Sequence, residues 1–444
     1  MIEQGKRQRP RDASVTYAWS HVHPVGPHRP TTRHHEASPI ADTMKVTSKR
    51  VLIVVTAVGL TTFMAYRMVR PMNIYVVTEE FERPMAVAVP SGLTSLSARE
   101  CGACHQDAYR EWASSIHARA WTDPYFQVDF EFDRSQQTCL NCHTPLRDQQ
   151  ANLVLGFQDR EKFQPILAPN ESFDETLRDE GVTCAVCHVR DGVIIGPFGD
   201  TAAPHATRRD RDMQDGIGVC RKCHVATGRR WDTFYRIPPC GTVAEIMEGG
   251  ESSPDCKSCH MPATERPLVA GGTTRSSRMH LFRGGHDRET VRRAIAVDVE
   301  MRNTGRGRRA ATVRLTNTGA DHDLPTGTPD RHLTVEFRLK GEGGRVFEEA
   351  IHRLKRTIMW RPFIVDLWDT RLPKETPRTY TFAVDMAADP PPITLDIMVR
   401  YHLLDEARRR RIGYENREPI SYAVFQRSIP LTESAAPQRP AAPE

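Results

Sequence analysis

At 444 residues the chain is long enough for two or three domains, and its 39% of hydrophobic residues is low for that length. Its 61 Lys and Arg residues nearly balance its 56 Asp and Glu residues, which leaves a formal net charge of +5. Because charges of both signs are mixed along the chain, as in Arg208–Asp212, the composition favours a solvated surface and excludes a nucleic-acid groove.

The first 43 residues are rich in Arg, His, Pro and Thr without apolar periodicity, so they are predicted to be a disordered tail. Met44 is an alternative start, in which case this tail would come from a misassigned start codon. Residues 44–70 are predicted to form a membrane anchor. Basic residues precede the apolar run 51–66, and the side chain of Arg67 can reach the headgroups beyond it.

This apolar segment has two readings, a cleaved signal peptide or a retained transmembrane helix. No small-x-small cleavage site follows the run directly, and the nearest, Ala86-Val87-Ala88, lies beyond three glutamates, which favours retention. Nine Lys or Arg residues precede Val51 and keep the tail in the cytoplasm by the positive-inside rule. The sequence therefore predicts a single-pass inner-membrane protein whose later domains lie in the periplasm.

Residues 71–95 contain three prolines and are predicted to be a stalk. Residues 96–290 carry short helical patterns, at Ser97–Ser115 and Glu175–Glu180, between loops rich in Gly and Pro. We expect this region to be mainly helix and coil, with almost no sheet.

Within this region the run Cys-x-x-Cys-His occurs five times. The copies are Cys101-Gly-Ala-Cys104-His105, Cys139-Leu-Asn-Cys142-His143, Cys184-Ala-Val-Cys187-His188, Cys220-Arg-Lys-Cys223-His224 and Cys256-Lys-Ser-Cys259-His260. Two thiols at this spacing form thioethers with the two vinyl groups of a haem, and the adjacent imidazole becomes the proximal iron ligand. The pattern predicts five covalently bound haem c groups and a haem domain over residues 96–290.

Zinc sites and disulfides are the alternatives for such cysteines. Zinc knuckles are usually about 15–20 residues apart and need no His after the second Cys, whereas these motifs start 36 to 45 residues apart. Ten of the eleven cysteines lie in the motifs, which leaves no disulfide framework once haems are attached. The remaining Cys240 is interpreted as a buried, inert thiol rather than an iron ligand.

The ligand on the other side of each iron decides whether a haem carries electrons or binds small molecules. A second His gives a low-potential electron carrier, Met raises the potential, and an open position binds substrates. The candidates for distal ligands outside the motifs are His117, His205, His280, His286 and His322. His332, His352 and His402 lie in strand-like runs and are interpreted as ordinary sandwich residues, while Met213, Met261 and Met279 are interpreted as filler.

From about residue 291 the apolar pattern changes to a period of two, typical of strands. The runs are Ala294–Glu300, Ala311–Thr316, Leu333–Leu339, Tyr380–Val384 and Ile393–Tyr401. Several short strands with turn residues between them predict an all-β sandwich over residues 291–432, followed by a disordered tail at 433–444.

His322 lies in a turn of the predicted sandwich, between Asn317-Thr-Gly and Pro325-Thr-Gly327. A rigid loop of this kind presents a side chain well. Either His322 supplies the fifth distal ligand and locks the sandwich to the haems, or it bonds locally to Asp321 or Asp323.

The first motif and its surroundings resemble a known family. Glu100 and the first motif are followed by Tyr109, Trp112, Ser115 and His117-Ala118, a pattern similar to the opening of the cytochrome c-554 type of multihaem cytochromes, which are related to electron acceptors in hydroxylamine oxidation. In that family the residue at the position of His117 is a distal ligand to a different haem of the stack. The segments Cys256–Pro262 and His280–His286 resemble the closing haem segment of related multihaem proteins, and Asn317–Gly327 resembles a turn of sandwich domains attached to them. The resemblance implies electron transfer, although this chain has five motifs instead of four.

The leading hypothesis is a membrane-anchored periplasmic cytochrome that relays electrons between a quinol-linked or enzyme donor and another redox protein in a respiratory chain. The rival is an enzyme, a multihaem reductase or oxidase that acts on a small nitrogen or sulfur compound at one open haem. Pentahaem nitrite reductases, which resemble this chain, have Lys in place of the motif His at their catalytic haem. No motif of this chain has that substitution, and its absence favours electron transfer over catalysis. A structural subunit of a respiratory complex fits the sequence equally well.

Overall fold

The computed structural model describes most of the chain outside the two tails. The described residues are 39–69, 84–158, 164–199, 203–215, 217–224, 242–248, 255–359, 362, 365–388 and 391–431. They divide between Phe63 and Met64 into two compact units. The predictions for the tail before residue 39, for the stalk before residue 84, for Cys240 and for the C-terminal tail lie outside the described residues.

The first helix, α1 (Pro39–Val69), contains the predicted anchor. Its segment Ser48–Val69 has 22 residues, a mean hydropathy of 1.7 and no buried side chain, so it is long and apolar enough to span a membrane. The helix begins at Pro39, so residues 39–43, which were expected to be disordered, are helical. Pro suits the first turn of a helix, where its missing N–H has no partner to lose.

Eleven short α-helices follow in the described residues between 98 and 294. They are α2 (Ala98–Gly102), α3 (Gln106–Ala113), α4 (Pro124–Phe132), α5 (Gln137–His143), α6 (Glu175–Asp179), α7 (Cys184–His188), α8 (Arg211–Asp215), α9 (Ile217–His224), α10 (Thr242–Glu248), α11 (Cys256–His260) and α12 (Arg288–Ala294). The predicted helix Ser97–Ser115 is present as α2 and α3, which are separated at residues 103–105. The prediction at Glu175–Glu180 corresponds to α6.

The same region contains more sheet than expected. Its strands are β1 (Asn152–Phe157), β2 (Pro165–Pro169), β3 (Val189–Arg190), β4 (Val193–Gly196), β5 (Thr207–Arg209), β6 (Ala263–Pro267) and β7 (Thr274–Arg278). They form an antiparallel hairpin β1–β2, a three-stranded sheet β3–β4–β5 and a hairpin β6–β7. The expectation of almost no sheet was therefore wrong, because these strands have six residues or fewer and are too short to show a period.

The peptide before α2 is attached to this region rather than extended away from it. The amide of Met85 donates to Pro145 O at 2.7 Å, and Met85 O accepts from the Arg147 amide at 2.9 Å. A small core of Leu96, Leu146, Leu177 and neighbouring residues lies beneath this contact.

The C-terminal region contains the predicted sandwich. Its elements are β8 (Ile295–Gly305), β9 (Arg308–Asn317), β10 (His332–Lys340), β11 (Val346–Leu354), β12 (Arg356–Met359), β13 (Val365–Asp369), β14 (Arg378–Asp385), β15 (Thr394–His402), α13 (Glu406–Ile412) and β16 (Ser421–Pro430). Two antiparallel sheets, in the orders β11–β10–β15–β16 and β14–β9–β8, accompany a separate hairpin β12–β13. Each of the five predicted strand runs overlaps one of these strands, although Ala294 ends α12 and Ile393 precedes β15.

The two sheets share one hydrophobic core, since alternate residues of each strand point inward. Val313 and Val384 come from one sheet, Val335 and Ile397 from the other, and all four are fully buried. Phe337 on β10 stacks on Phe382 on β14, with ring centres 5.3 Å apart, and this contact joins the two sheets.

The sandwich packs directly against the region of the five motifs. Arg408 on α13 forms an ion pair with Asp129 on α4 at 2.6 Å. Tyr422 on β16 donates a hydrogen bond to Gly285 O at 2.6 Å. A side chain at Gly285 would clash, because an added Cβ would lie 2.6 Å from the hydroxyl oxygen of Tyr401.

Candidate haem sites

Most motifs lie on short helices, and the side chains of each motif point in one direction. Helices α5, α7, α9 and α11 each end at the histidine of their motif. Residues i, i+3 and i+4 share one face of a helix, so the two thiols and the imidazole of a motif point the same way. The first motif differs, because α2 ends at Gly102 and His105 precedes α3.

The five motifs open onto one continuous cavity of about 3500 Å³. That volume is several times the roughly 300–1,000 Å³ of a usual small-molecule pocket. All ten motif cysteines, all five motif histidines and all five candidate distal histidines line it. Of the methionines considered as ligands, Met213 and Met261 also line it.

Four motif histidines face a second histidine across this cavity. Their ring centres are 6.4 Å apart for His105 and His205, 6.4 Å for His117 and His224, 6.1 Å for His188 and His280, and 6.4 Å for His260 and His322.

These separations match two imidazoles bound to one metal from opposite sides. With metal–nitrogen bonds of about 2.0 Å and a ring centre about 1.1 Å beyond each nitrogen, the ring centres would be roughly 6.2 Å apart. Directly stacked rings would be much closer. The residues therefore fit an iron between each pair, with one ligand from a motif and one from elsewhere.

Hydrogen bonds hold most of these imidazoles with Nε2 toward the cavity. Nδ1 contacts a backbone carbonyl oxygen at 3.0 Å in His105 (Leu268 O), 2.6 Å in His143 (Ala120 O), 3.0 Å in His188 (Ile195 O) and 2.6 Å in His260 (Arg283 O). Among the facing residues, His280 and His322 make the same contact with Arg278 O and Asp323 O. A carbonyl oxygen requires a proton on Nδ1, which leaves the Nε2 lone pair for a metal.

Burial keeps several of these rings neutral. It lowers the pKa of His117 to about 3, aided by the neighbouring His224 and His260. It lowers the pKa of His143 and His322 to about 4, against the hydrogen bond that each makes to a carbonyl oxygen. A neutral imidazole is the form that binds a metal.

The second motif is different from the other four. The imidazole of His143 stacks on the phenyl ring of Phe126, with ring centres 3.6 Å apart and planes 7° from parallel. Within the described residues, no histidine faces His143 at the separation of the other four pairs. A stacked phenyl ring covers the face of the imidazole and leaves Nε2 uncovered, because Nε2 points outward in the ring plane.

His286, the fifth distal candidate, is not brought to a motif histidine in the described part of the chain. Its Nε2 lies 3.4 Å from Arg331 Nη2. A guanidinium only donates, so Nε2 accepts there. Burial, with help from Arg331 and Arg119, lowers the pKa of His286 to about 3.

The other sandwich histidines lie away from the motifs. His332 stacks on His402 with ring centres 4.1 Å apart, and His352 packs against Phe337 and Tyr380. None of the three lines the large cavity.

Interactions between motif thiols indicate which motifs are neighbours. The thiol of Cys184 lowers the pKa of Cys101, that of Cys256 raises the pKa of Cys220, and that of Cys142 lowers the pKa of Cys223. The first motif therefore adjoins the third, and the fourth adjoins both the second and the fifth.

Comparisons with known proteins agree with this architecture. Residues 100–189 match the family model described as cytochrome c554 and c-prime. A penta-heme cytochrome c552 from Thermochromatium tepidum matches with a TM-score of 0.56 and 19% identity, over 77% of this chain and 100% of that chain. At that identity the match shows the fold alone.

A β-glucosidase from Kluyveromyces marxianus matches with a TM-score of 0.12 and 9% identity, over 31% of this chain and 14% of that chain, and carries no argument. No curated protein matches the chain. The motifs, the family match and the fold together define a multihaem c-type cytochrome with a C-terminal β-sandwich.

Sequence reasoning missed the roles of Phe126 and Arg331. Phe126 lies in an aromatic-rich helix whose sequence is typical of core residues, and nothing in that sequence indicates that Phe126 stacks on His143. Arg331 is one of 61 Lys and Arg residues, and only the fold shows that it meets His286.

Proposed function

We propose that this protein is a membrane-anchored periplasmic cytochrome with five covalent haems that relays electrons between redox partners of a respiratory chain. The observation that carries the proposal is the set of four facing imidazole pairs, 6.1 to 6.4 Å apart. Haem with a His on both sides is a low-potential electron carrier. The donor would be a quinol-linked or other redox protein.

The proposed ligand set follows from these pairs. His105, His188, His224 and His260 act as proximal ligands, and their distal partners are His205, His280, His117 and His322 in that order. Ten motif cysteines hold the five macrocycles, and His143 is the proximal ligand of the remaining one. When bound, these groups would supply one-electron transfer, while the chain fixes their spacing.

Motif neighbours support a continuous path through the protein. The thiol interactions favour an order of first, third and fourth site, with the second and fifth adjoining the fourth. The third is joined to the fourth by the proximity of Cys187 and Cys223, whose mutual repulsion helps burial raise the pKa of Cys187. Such an arrangement suits transfer among haems in near contact.

Three measurements test the proposal. Protein matured in a host competent for c-type haem attachment should exceed the polypeptide mass by five haems. The oxidised protein should show four low-spin haems with two imidazole ligands each, and the reduced protein should reoxidise rapidly with a redox protein. A count of four or fewer haems, or a majority of high-spin haems, would overturn it.

A second candidate function rests on His143. Its ring meets Phe126 and, among the described residues, no second imidazole, so a haem held by His143 would lack a second histidine ligand and could bind a small nitrogen or sulfur compound. The protein would then be a reductase or oxidase. Robust turnover of nitrite, hydroxylamine or tetrathionate would favour this reading, and its absence would favour the relay.

A further inference from the structure

The loop that carries His322 is fastened to the rest of the protein by a buried guanidinium. The side chain of Arg371 is 3% exposed and forms ion pairs with three carboxylates. Nη1 lies 2.6 Å from Glu245 Oε1, while Nη2 lies 3.1 Å from Asp323 and 2.6 Å from Asp369. Five N–H donors in a rigid fork make Arg suited to such a role.

The three carboxylates belong to three separate parts of the fold. Glu245, 2% exposed, lies on α10, between the fourth and fifth motifs. Asp323 follows His322 in the loop after β9, and Asp369 ends β13. Arg371 therefore joins the motif region, the loop and the sandwich at one point.

Further hydrogen bonds tie the same loop to the same helix. Thr326 donates to Glu245 Oε2 at 2.7 Å, and Thr242 and Thr326 share a bond of 2.9 Å. Arg371 Nη1 also donates to Pro325 O at 3.4 Å. The carbonyl that orients His322 belongs to Asp323, whose side chain Arg371 holds.

We propose that Arg371 is a positioning residue that holds His322 in place as the distal ligand of the haem attached to the fifth motif. The proposal rests on the proposed function, in which His322 is that ligand. Without Arg371 the carboxylates of Glu245, Asp323 and Asp369 would repel one another, and the loop would withdraw from α10. Imidazole–iron bonding needs a fixed position of Nε2, so the loss appears at the iron although Arg371 does not touch the haem.

The test compares Arg371→Met, Arg371→Lys and His322→Ala by spin-state spectroscopy and by carbon monoxide bound per chain. Relative to the wild type, His322→Ala should convert one more of the five haems to the high-spin state and add one bound carbon monoxide per chain. Arg371→Met should change the same haem in the same direction, with partial loss of the low-spin signal. Arg371→Lys, which keeps the charge but not the fork, should restore most of that signal.

Arg408→Met is the matched control, because Arg408 also bridges the sandwich to the motif region, through Asp129 on α4. It should leave all haem spin states unchanged. Should Arg371→Met not fold, Thr326→Val removes the hydroxyl bond to Glu245 and should shift the midpoint potential of the same haem.

The outcomes separate the two proposals. If His322→Ala changes one haem while Arg371→Met and Thr326→Val leave the spectra and potentials unchanged, the positioning role is wrong and the ligand assignment stands. If His322→Ala itself changes nothing, the ligand assignment fails and the positioning role fails with it.

Discussion

Arg266 donates two hydrogen bonds to Glu111, at 2.6 and 2.8 Å, and so joins the β6–β7 hairpin to α3 across 155 residues. Glu111 also accepts from the backbone amide of His280 at 2.8 Å. Burial opposes the charge, yet the Arg266 and His280 hydrogen bonds hold the pKa of Glu111 below its usual range. The side chains are only 15% and 12% exposed, so this pair differs from a surface ion pair.

Arg266→Met should therefore lower the free energy of unfolding by about 3 kcal/mol, since it leaves a largely buried carboxylate without its partner. Denaturant unfolding of the fully haem-loaded protein would measure this. The control is Arg292→Met, whose partner Glu289 and own side chain are more than half exposed, and it should cost no more than about 0.5 kcal/mol. Equal effects of the two substitutions would contradict the prediction.

His280→Met should raise the midpoint potential of one haem and leave four unchanged. A thioether ligand favours ferrous iron more than imidazole does, and axial ligands move haem potentials over roughly 0.8 V. A rise on the order of 0.1 V or more in a spectroelectrochemical titration is expected. His352→Met, in the sandwich against Tyr380, is the control and should move no potential.

The contribution of Asp330 to the free energy of unfolding should be lost as pH rises through about 6. Burial raises the pKa of Asp330 to about 6, with Arg408 opposing and Asp129 adding to it. The folded state thus binds this proton more tightly than the unfolded state, whose pKa is about 3.9. The contribution of Asp330 to stability is complete below its unfolded-state pKa and is lost as pH rises through its folded-state pKa.

Asp330→Asn should flatten this dependence and stabilise the protein at pH 7, by up to about 3 kcal/mol for a two-unit shift. Unfolding free energies between pH 4 and pH 7 would show it. Asp396 provides a control of opposite sign, because Lys340 and Ser428 hold its pKa below the usual range despite burial. Asp396→Asn should weaken the protein at neutral pH, and a loss of stability in both variants would refute the assignment for Asp330.

The segment Ser48–Val69 should remain in the mature protein and hold it in the membrane. Washed membranes should retain the protein through salt and alkali and release it in detergent. A variant that begins after residue 70 behind a cleavable signal peptide should be released with the soluble periplasmic fraction. A wild-type N-terminus near residue 89 in that fraction would exclude the anchor.

The sequence predicts the strands in which apolar and polar residues alternate and misses those without a clear alternation. Strands β10 and β15 are central, and their periodic apolar residues are plain in the sequence. Strand β11 begins with four exposed residues, and β16 has one fully buried residue in ten, so their patterns are weak. The short strands β12 and β13 were also missed. Burial on one face produces the period, and the edge strand β14 shows it as clearly as the central strands do.

For the haem sites, the sequence predicts the attachment residues and the pool of distal ligands but not their pairing. The motif is local, so its chemistry can be read from five consecutive residues. The facing histidines are 62 to 107 residues apart along the chain, and only the fold brings them together. The expectation that His286 serves as a distal ligand stays a prediction, and its contact with Arg331 was invisible in the sequence.

The distance between facing histidines along the chain has a consequence for biogenesis. A chain that crosses the membrane from its N-terminus exposes His105 about a hundred residues before His205, and His260 well before His322. If haem is attached to each Cys pair as that pair emerges, attachment precedes the arrival of most second imidazoles, and only His117 has already emerged when its partner His224 does. Nascent haems would pass through an interval in which exogenous ligands can bind them. The last of these intervals would close only once residue 322 had been exported.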